Sequence, residues 1–173
     1  ELIVAKDAKG VFVVWDTRSG QVLRTISDLN GTGDWWLSPD GHRLLAKSES
    51  HVYLWDVNTG AVLGSWQGTF PKFSADGQRI LTTTLDTRSC EIHDARSGRK
   101  LQAISCFFGE SFTPNGRQIV SRSGEWRIQF WDIATGDQLC ELASINNTKD
   151  WLVFTPEGLF DGSEGGRQSV AFR

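Results

Sequence analysis

The 173-residue sequence has no methionine, one tyrosine, four prolines, three histidines and three cysteines. With no methionine at position 1, Glu1 does not begin an unprocessed translation product, and the chain is expected to be a piece of a longer protein. Four prolines against 18 glycines exclude a polyproline or collagen-like chain, and 39% apolar with 23% charged residues excludes a disordered one. No run approaches the roughly 20 consecutive apolar residues of a membrane-spanning helix, and no basic-then-apolar signal segment opens the chain. No membrane insertion and a cytoplasmic location are therefore expected. Positive charge is not in excess either. Lys+Arg 18 against Asp+Glu 21 gives a formal net charge of -3, the wrong sign for general attraction to nucleic acid. The densest basic group, Arg96, Arg99 and Lys100, flanks a turn and has Glu91 and Asp94 beside it.

Reactive side chains are too few and too scattered for chemistry. Cys90, Cys106 and Cys140 are an odd number without a CxxC pair, so neither a disulfide framework nor a zinc knuckle is expected. Three unpaired thiols in a reducing compartment fit this spacing, with Cys106 a buried and inert thiol beside Phe107 and Phe108. His42 and His51 fall at a turn and a strand start, read as exposed, and no HExxH spacing exists. The run GSEGG at 162–166 lacks the Lys and following Ser/Thr of a phosphate-cradling loop and reads as a flexible loop. Asp161 and Glu164 lack the alternating acidic ligands of a calcium loop. No cofactor, no metal and no catalytic residue is expected.

What the chain does have is a repeat. VFVVWDTRSG at 11–20, VYLWDVNTG at 52–60, CEIHDARSG at 90–98 and IQFWDIATG at 128–136 share an apolar strand, an aromatic-Asp pair and a Gly. The glycines Gly20, Gly60, Gly98 and Gly136 stand 40, 38 and 38 residues apart. The Asp carboxylate can accept N–H bonds inside the turn, and Gly supplies the positive φ that ends it. A second landmark recurs as SPDG at 38–41, SADG at 74–77, TPNG at 113–116 and TPEG at 155–158, a turn closed by Gly and preset by Pro in three of the four. Apolar runs of four to six residues lie between these turns without helical spacing, so each unit reads as a four-stranded antiparallel meander.

These motifs resemble the WD-repeat (WD40) β-propeller family, carried by Trp15-Asp16, Trp55-Asp56, His93-Asp94 and Trp131-Asp132. The resemblance implies an all-β propeller of four-stranded blades, about four and a half of them here, from a parent that commonly has seven. Blade units are expected at 1–26, 34–66, 71–104, 110–142 and 150–173, the last partial or a C-terminal extension, with 1–173 one propeller segment. A ring closed by pairing 151–155 with 2–5 is a further possibility on counting. The family's Gly-His at the start of each repeat is missing, which shifts the blades toward apolar packing. His93 in a Trp slot is expected as a surface-tolerant replacement. The resemblance further implies a non-catalytic scaffold or sensor in a larger bacterial signalling or defence protein. Its partner is another protein or another domain of the same polypeptide, with no nucleic acid. The alternative is a small-ligand or enzymatic site in a central channel lined by Asp34, Lys72, Glu110 and Asp150. Trp35 and Trp126 are candidates for a contact surface; Trp35 and Trp36 are adjacent and must point to opposite faces of a strand.

Overall fold

The structure, a computed structural model, describes residues 2–9, 11–26, 34–106, 108–125, 127–145 and 149–170. It contains four antiparallel sheets taken up in chain order. The first has β1 (Leu2–Lys6), β2 (Phe12–Asp16) and β3 (Val22–Ile26). The second has β4 (Trp35–Leu37), β5 (Arg43–Ser48), β6 (His51–Asp56) and β7 (Val62–Gln67). The third has β8 (Thr69–Phe73), β9 (Arg79–Thr84), β10 (Ser89–Asp94) and β11 (Lys100–Ser105). The fourth begins with β12 (Phe108–Phe112), β13 (Gln118–Arg122), β14 (Ile128–Asp132) and β15 (Gln138–Ser144). It is widened beyond β15 by β16 (Trp151–Phe154) and β17 (Phe160–Gly162), and a short helix α1 (Glu164–Gln168) follows.

Strand burial records how the sheets stack. In the middle sheets β5 and β9 are buried on both faces, and β9 reads as a near-continuous buried run through Ile80, Leu81, Thr82 and Thr83. In the end sheets β2 and β13 alternate buried and half-buried positions, because only one face has a neighbour. Three apolar clusters fill the gaps. Phe12, Val14 and Ile26 meet Leu44, Ala46 and Trp55; Leu45, Val52 and Leu54 meet Ile80 and Ala95; and Leu81, Ile92 and Ile104 meet Phe112, Ile119 and Ile133. Each fully buried side chain of this size contributes about 1.5–3 kcal/mol. Trp35 and Trp36 enter the first and the second of these gaps from the two faces of β4, as their alternation requires.

At the C-terminus, where 150–173 reads as a partial blade or an extension, the described residues form no separate sheet: β16 pairs antiparallel with β15, with Leu142 opposite Val153 and Ala143 opposite Leu152. Nor does it close a ring, since β1 pairs with β2 at the edge of a separate sheet. The GSEGG run is also no loose loop. Ser163 caps α1, its Oγ accepting from the Gly166 and Trp151 N–H groups at 3.1 Å each and donating to Asp150 Oδ1 at 2.8 Å. A Cβ on Gly165 would strike the Asp150 carboxylate, and one on Gly166 would strike the Trp151 carbonyl oxygen.

The cysteine expectation is corrected as well. Cys90 on β10 and Cys106 just past β11 form a disulfide across a sequence separation of 16, with Cα atoms 5.6 Å apart. Cys90 pairs across the ladder with Ile104, so Cys106 lies two residues on and on the same face, within bonding reach. The inference of a reducing compartment rested on three unpaired thiols and loses that basis. Cys140 is the free thiol among the described residues, and burial pushes its pKa up.

Candidate interaction surfaces

The repeated Asp residues are turn builders. Asp16, Asp56, Asp94 and Asp132 each accept through Oδ1 the N–H of the residue three further on, at 2.8, 2.8, 2.7 and 3.0 Å. Gly20, Gly60, Gly98 and Gly136 follow with φ of 68°, 73°, 71° and 80° and donate their N–H back to the Asp carbonyl. Hydrogen bonds from Ser19 and Arg18 N–H groups hold the Asp16 carboxyl below its ordinary range, and the Ser97 hydroxyl does the same for Asp94. Asp56 is also lowered, since burial pushes it up less than the Thr59 hydrogen bonds and the Arg43 guanidinium pull it down. Arg43 Nη1 stands 2.8 Å from Asp56 Oδ2.

The second turn contains a device that sequence reasoning passed over. Ser38, Ser74 and Thr113 donate their hydroxyls to Asp40, Asp76 and Asn115 at 2.5, 2.6 and 2.7 Å. The same oxygens accept the N–H of Arg43, Arg79 and Gln118 across the turn. The signal was present as a Ser or Thr two residues before each acid or amide.

The aromatic member of the signature packs between sheets. Trp55 is fully buried, whereas Trp15 and Trp131, in the end sheets, are half-buried. Trp131 Nε1 donates to Ser121 Oγ at 2.8 Å, a buried polar contact that needs no Gly-His. His93 is not a surface replacement. It is 2% exposed and stacks on Trp66 of the preceding sheet, with ring centroids 4.1 Å apart and planes 14° from parallel. Burial pushes the His93 pKa down against the pull of Glu91, whose Oε2 lies 3.3 Å from Nε2. His42 and His51 are exposed, as read from the sequence.

Three of the four proposed channel residues fall on or just before the first strands of successive sheets. Asp34 is exposed just before β4, Lys72 is exposed on β8, and Glu110 lies on β12, its side chain outside the described residues. Asp150 instead stands before β16, on the far side of the fourth sheet from β12, where Ser163 holds it. Trp126 lies outside the described residues. Trp35 is half-buried and edge-on to Phe12, with ring centroids 5.6 Å apart.

Several concave regions mark the surface, among them these two. A groove of about 590 Å³ runs over Leu37, Ser38, Asp40, His42 and Asn58, whose polar groups are engaged in turn contacts such as Asn58 Nδ2 to His42 Nδ1 at 3.0 Å. A smaller cleft of about 200 Å³ lies between β8 and β12 and is lined by Phe70, Lys72, Phe108, Gly109 and Arg122. Among the described residues no group of three or more His, Cys, Asp or Glu could hold a metal ion, and no helix is long and apolar enough to cross a membrane.

No family model matches the chain. It is 29% identical over 133 residues to an uncharacterized WD repeat-containing protein of Synechocystis sp., a match covering 70% of this chain and 38% of that protein. It is 29% identical over 117 residues to a probable serine/threonine-protein kinase of Thermomonospora curvata, covering 66% of this chain and 15% of the kinase. It is 24% identical over 147 residues to autophagy-related protein 16 of Arabidopsis thaliana, covering 75% and 28%. The chain thus spans well under two thirds of each relative's length. The Trp-Asp repeat near forty residues, the stack of small antiparallel sheets and these relatives agree: the chain is similar to WD-repeat proteins, and its fold is all-β, a series of antiparallel sheets consistent with blades of an open β-propeller.

Proposed function

We propose that the chain is a non-catalytic scaffold that binds protein, either a separate partner or another domain of its own polypeptide, within a larger bacterial signalling or defence protein. One observation carries this reading: the recurrent polar residues are spent on building turns, while the positions between them vary and stand exposed. In the first turn family the exposed positions are Arg18, Asn58, Arg96 and Ala134, three different chemistries on one repeated frame. Rigid sheets with variable tips are suited to recognition. The match to a small share of a probable kinase supports a place in a signalling polypeptide, with the chemistry carried elsewhere in such a protein.

Site-specific photo-crosslinking in the native host tests this. A benzophenone side chain at position 58 or 96 is expected to join the chain to a discrete protein or to a distant part of its own polypeptide. The same group at exposed Thr25, away from those tips, serves as the control. No adduct from any of the tips, or equal adducts from Thr25, would overturn the reading.

A further inference from the structure

We propose that Asn115 is a modification site: spontaneous deamidation converts its amide to a carboxylate that the β12–β13 turn already accommodates, at a rate set by how often that turn opens. This goes beyond the scaffold reading and does not depend on it. Asn115 is exposed and is followed by Gly116. A backbone nitrogen can attack the side-chain carbonyl of the residue before it, and in most sequences the intervening side chain obstructs that approach. Gly116 has none, and a Cβ built there would meet nothing within 4 Å, so the surroundings do not shield the site either. In the reaction the Gly116 nitrogen bonds to Asn115 Cγ, the Cγ–Nδ2 bond breaks, and ammonia leaves with the Gly116 amide proton. Water then cleaves the cyclic imide at Cγ to give aspartate, or at the main-chain carbonyl to give isoaspartate.

The other copies of the turn carry the product already. The place of Asn115 in TPNG is held by Asp40 in SPDG, Asp76 in SADG and Glu157 in TPEG. Asp40 and Asp76 each accept the Ser hydroxyl two residues back, at 2.5 and 2.6 Å, and the N–H two residues on, at 2.9 and 3.0 Å. Asn115 Oδ1 accepts the same pair, from Thr113 Oγ1 at 2.7 Å and the Arg117 N–H at 3.0 Å. Both bonds use an oxygen that amide and carboxylate have in common. The hydroxyl bond also holds the Asp40 and Asp76 carboxyls below their ordinary range, so the turn favours a charged acid at this place. Isoaspartate, by contrast, lengthens the main chain inside the hydrogen bond from the Gly116 N–H to the Thr113 carbonyl and breaks the turn.

The closed turn restrains the reaction. The attacking nitrogen is committed there, because the Gly116 N–H donates to the Thr113 carbonyl at 2.8 Å. A second restraint comes from the third sheet, where Arg79 Nη1 at the start of β9 donates to the Gly116 carbonyl at 2.7 Å. Both bonds must loosen before the backbone can rotate the nitrogen onto Cγ, so conversion reports local opening of this turn. The new carboxylate then stands one residue from the Arg79 contact, at the junction of the third and fourth sheets. Asn58 is exposed as well, but Thr59 follows it and supplies the side chain that Gly116 lacks.

The test is peptide mapping by mass spectrometry of the whole chain, aged in mildly alkaline buffer with and without urea. The peptide holding Asn115 is expected to gain the mass of an NH2-to-OH exchange while Asn58 stays unchanged. Digestion separates this signal from Asn30–Gly31, which lies outside the described residues. The rate at Asn115 is expected to rise about ten-fold in urea, and several-fold on Arg79→Ala in the folded chain. Asn115→Asp is expected to keep the parent melting midpoint and Asn115→Ala, which removes the acceptor, to lower it; this pair tests the turn should Arg79→Ala unfold. Circular-dichroism melts verify each fold. No conversion at Asn115 in urea, or a rate in the folded chain equal to or above that in urea, would overturn the proposal. So would a folded Arg79→Ala variant with the parent rate, or Asn115→Asp melting as low as Asn115→Ala.

Discussion

Replacing Cys106 by Ala opens the tie between β10 and the link that leads into β12. The bond closes a loop of sequence separation 16, and loop closure of that size stabilises by about 3 kcal/mol through the unfolded chain. For a domain of this length each kcal/mol moves the melting midpoint by about 2–4 °C, so a fall of about 6–12 °C is expected. Both sulfurs lie in the apolar cluster between the third and fourth sheets, at 0% and 4% exposure, so a reductant reaches them only when that junction opens. The assay pairs thermal melts of the parent and Cys106→Ala with thiol counting by alkylation and mass spectrometry in denaturant. Without reductant one alkylated cysteine, Cys140, is expected, and three with it. Three reactive thiols in the oxidised preparation, or a midpoint unchanged by both substitution and reductant, would refute the reasoning.

Further outcomes follow from single contacts. Gly20 and Gly98 share a φ near 70°, but a Cβ on Gly20 meets nothing within 4 Å whereas one on Gly98 comes within 2.9 Å of the Leu63 carbonyl oxygen. Gly20→Ala should cost about 1–2 kcal/mol and Gly98→Ala distinctly more in urea titrations, and equal costs would sink the steric account. Asp56 and Asp94 have lowered folded pKa values, so their contribution is full above the ordinary carboxylate range and is lost as pH falls through it. Asp94→Asn should therefore lower stability at pH 7 and flatten its decline below about pH 4. His93, also lowered, favours the neutral ring in the fold, so stability should fall as pH drops below about 6.5. His93→Phe, which keeps a ring on Trp66, should remove that limb of the profile, and a persisting limb would assign it elsewhere. Ser163→Ala should cost about 1 kcal/mol through the lost cap and loosen the tail in hydrogen exchange.

The repeat was legible because its turns impose residue identity: a carboxylate must reach the N–H three residues on, and the next backbone position must be left-handed. Local chemistry of that kind is written in the letters. The adjacent Trp35 and Trp36 were equally readable, since strand alternation alone sends them into different gaps. His93 was misread because its environment is supplied by Trp66, 27 positions earlier on the preceding sheet, and nothing in CEIHD announces that neighbour. The Cys90–Cys106 bond was missed for a related reason, as the spacing acquires meaning only once β10 and β11 are paired in register. In the tail, the words WLVFTPEG match a blade's first strand, and it is the ladder with β15 that decides otherwise.

The contact between Gly98 and Gly64 has a mechanical consequence. Main chain rests on main chain there, the Cα of Gly64 lying within 3.0 Å of where a Gly98 side chain would begin. A fulcrum without side chains has no rotamers to yield, so the approach of the second and third sheets at this point is limited by van der Waals contact between backbones. Any bulk inserted at that pivot must splay the fan, and the displacement would grow with distance from it.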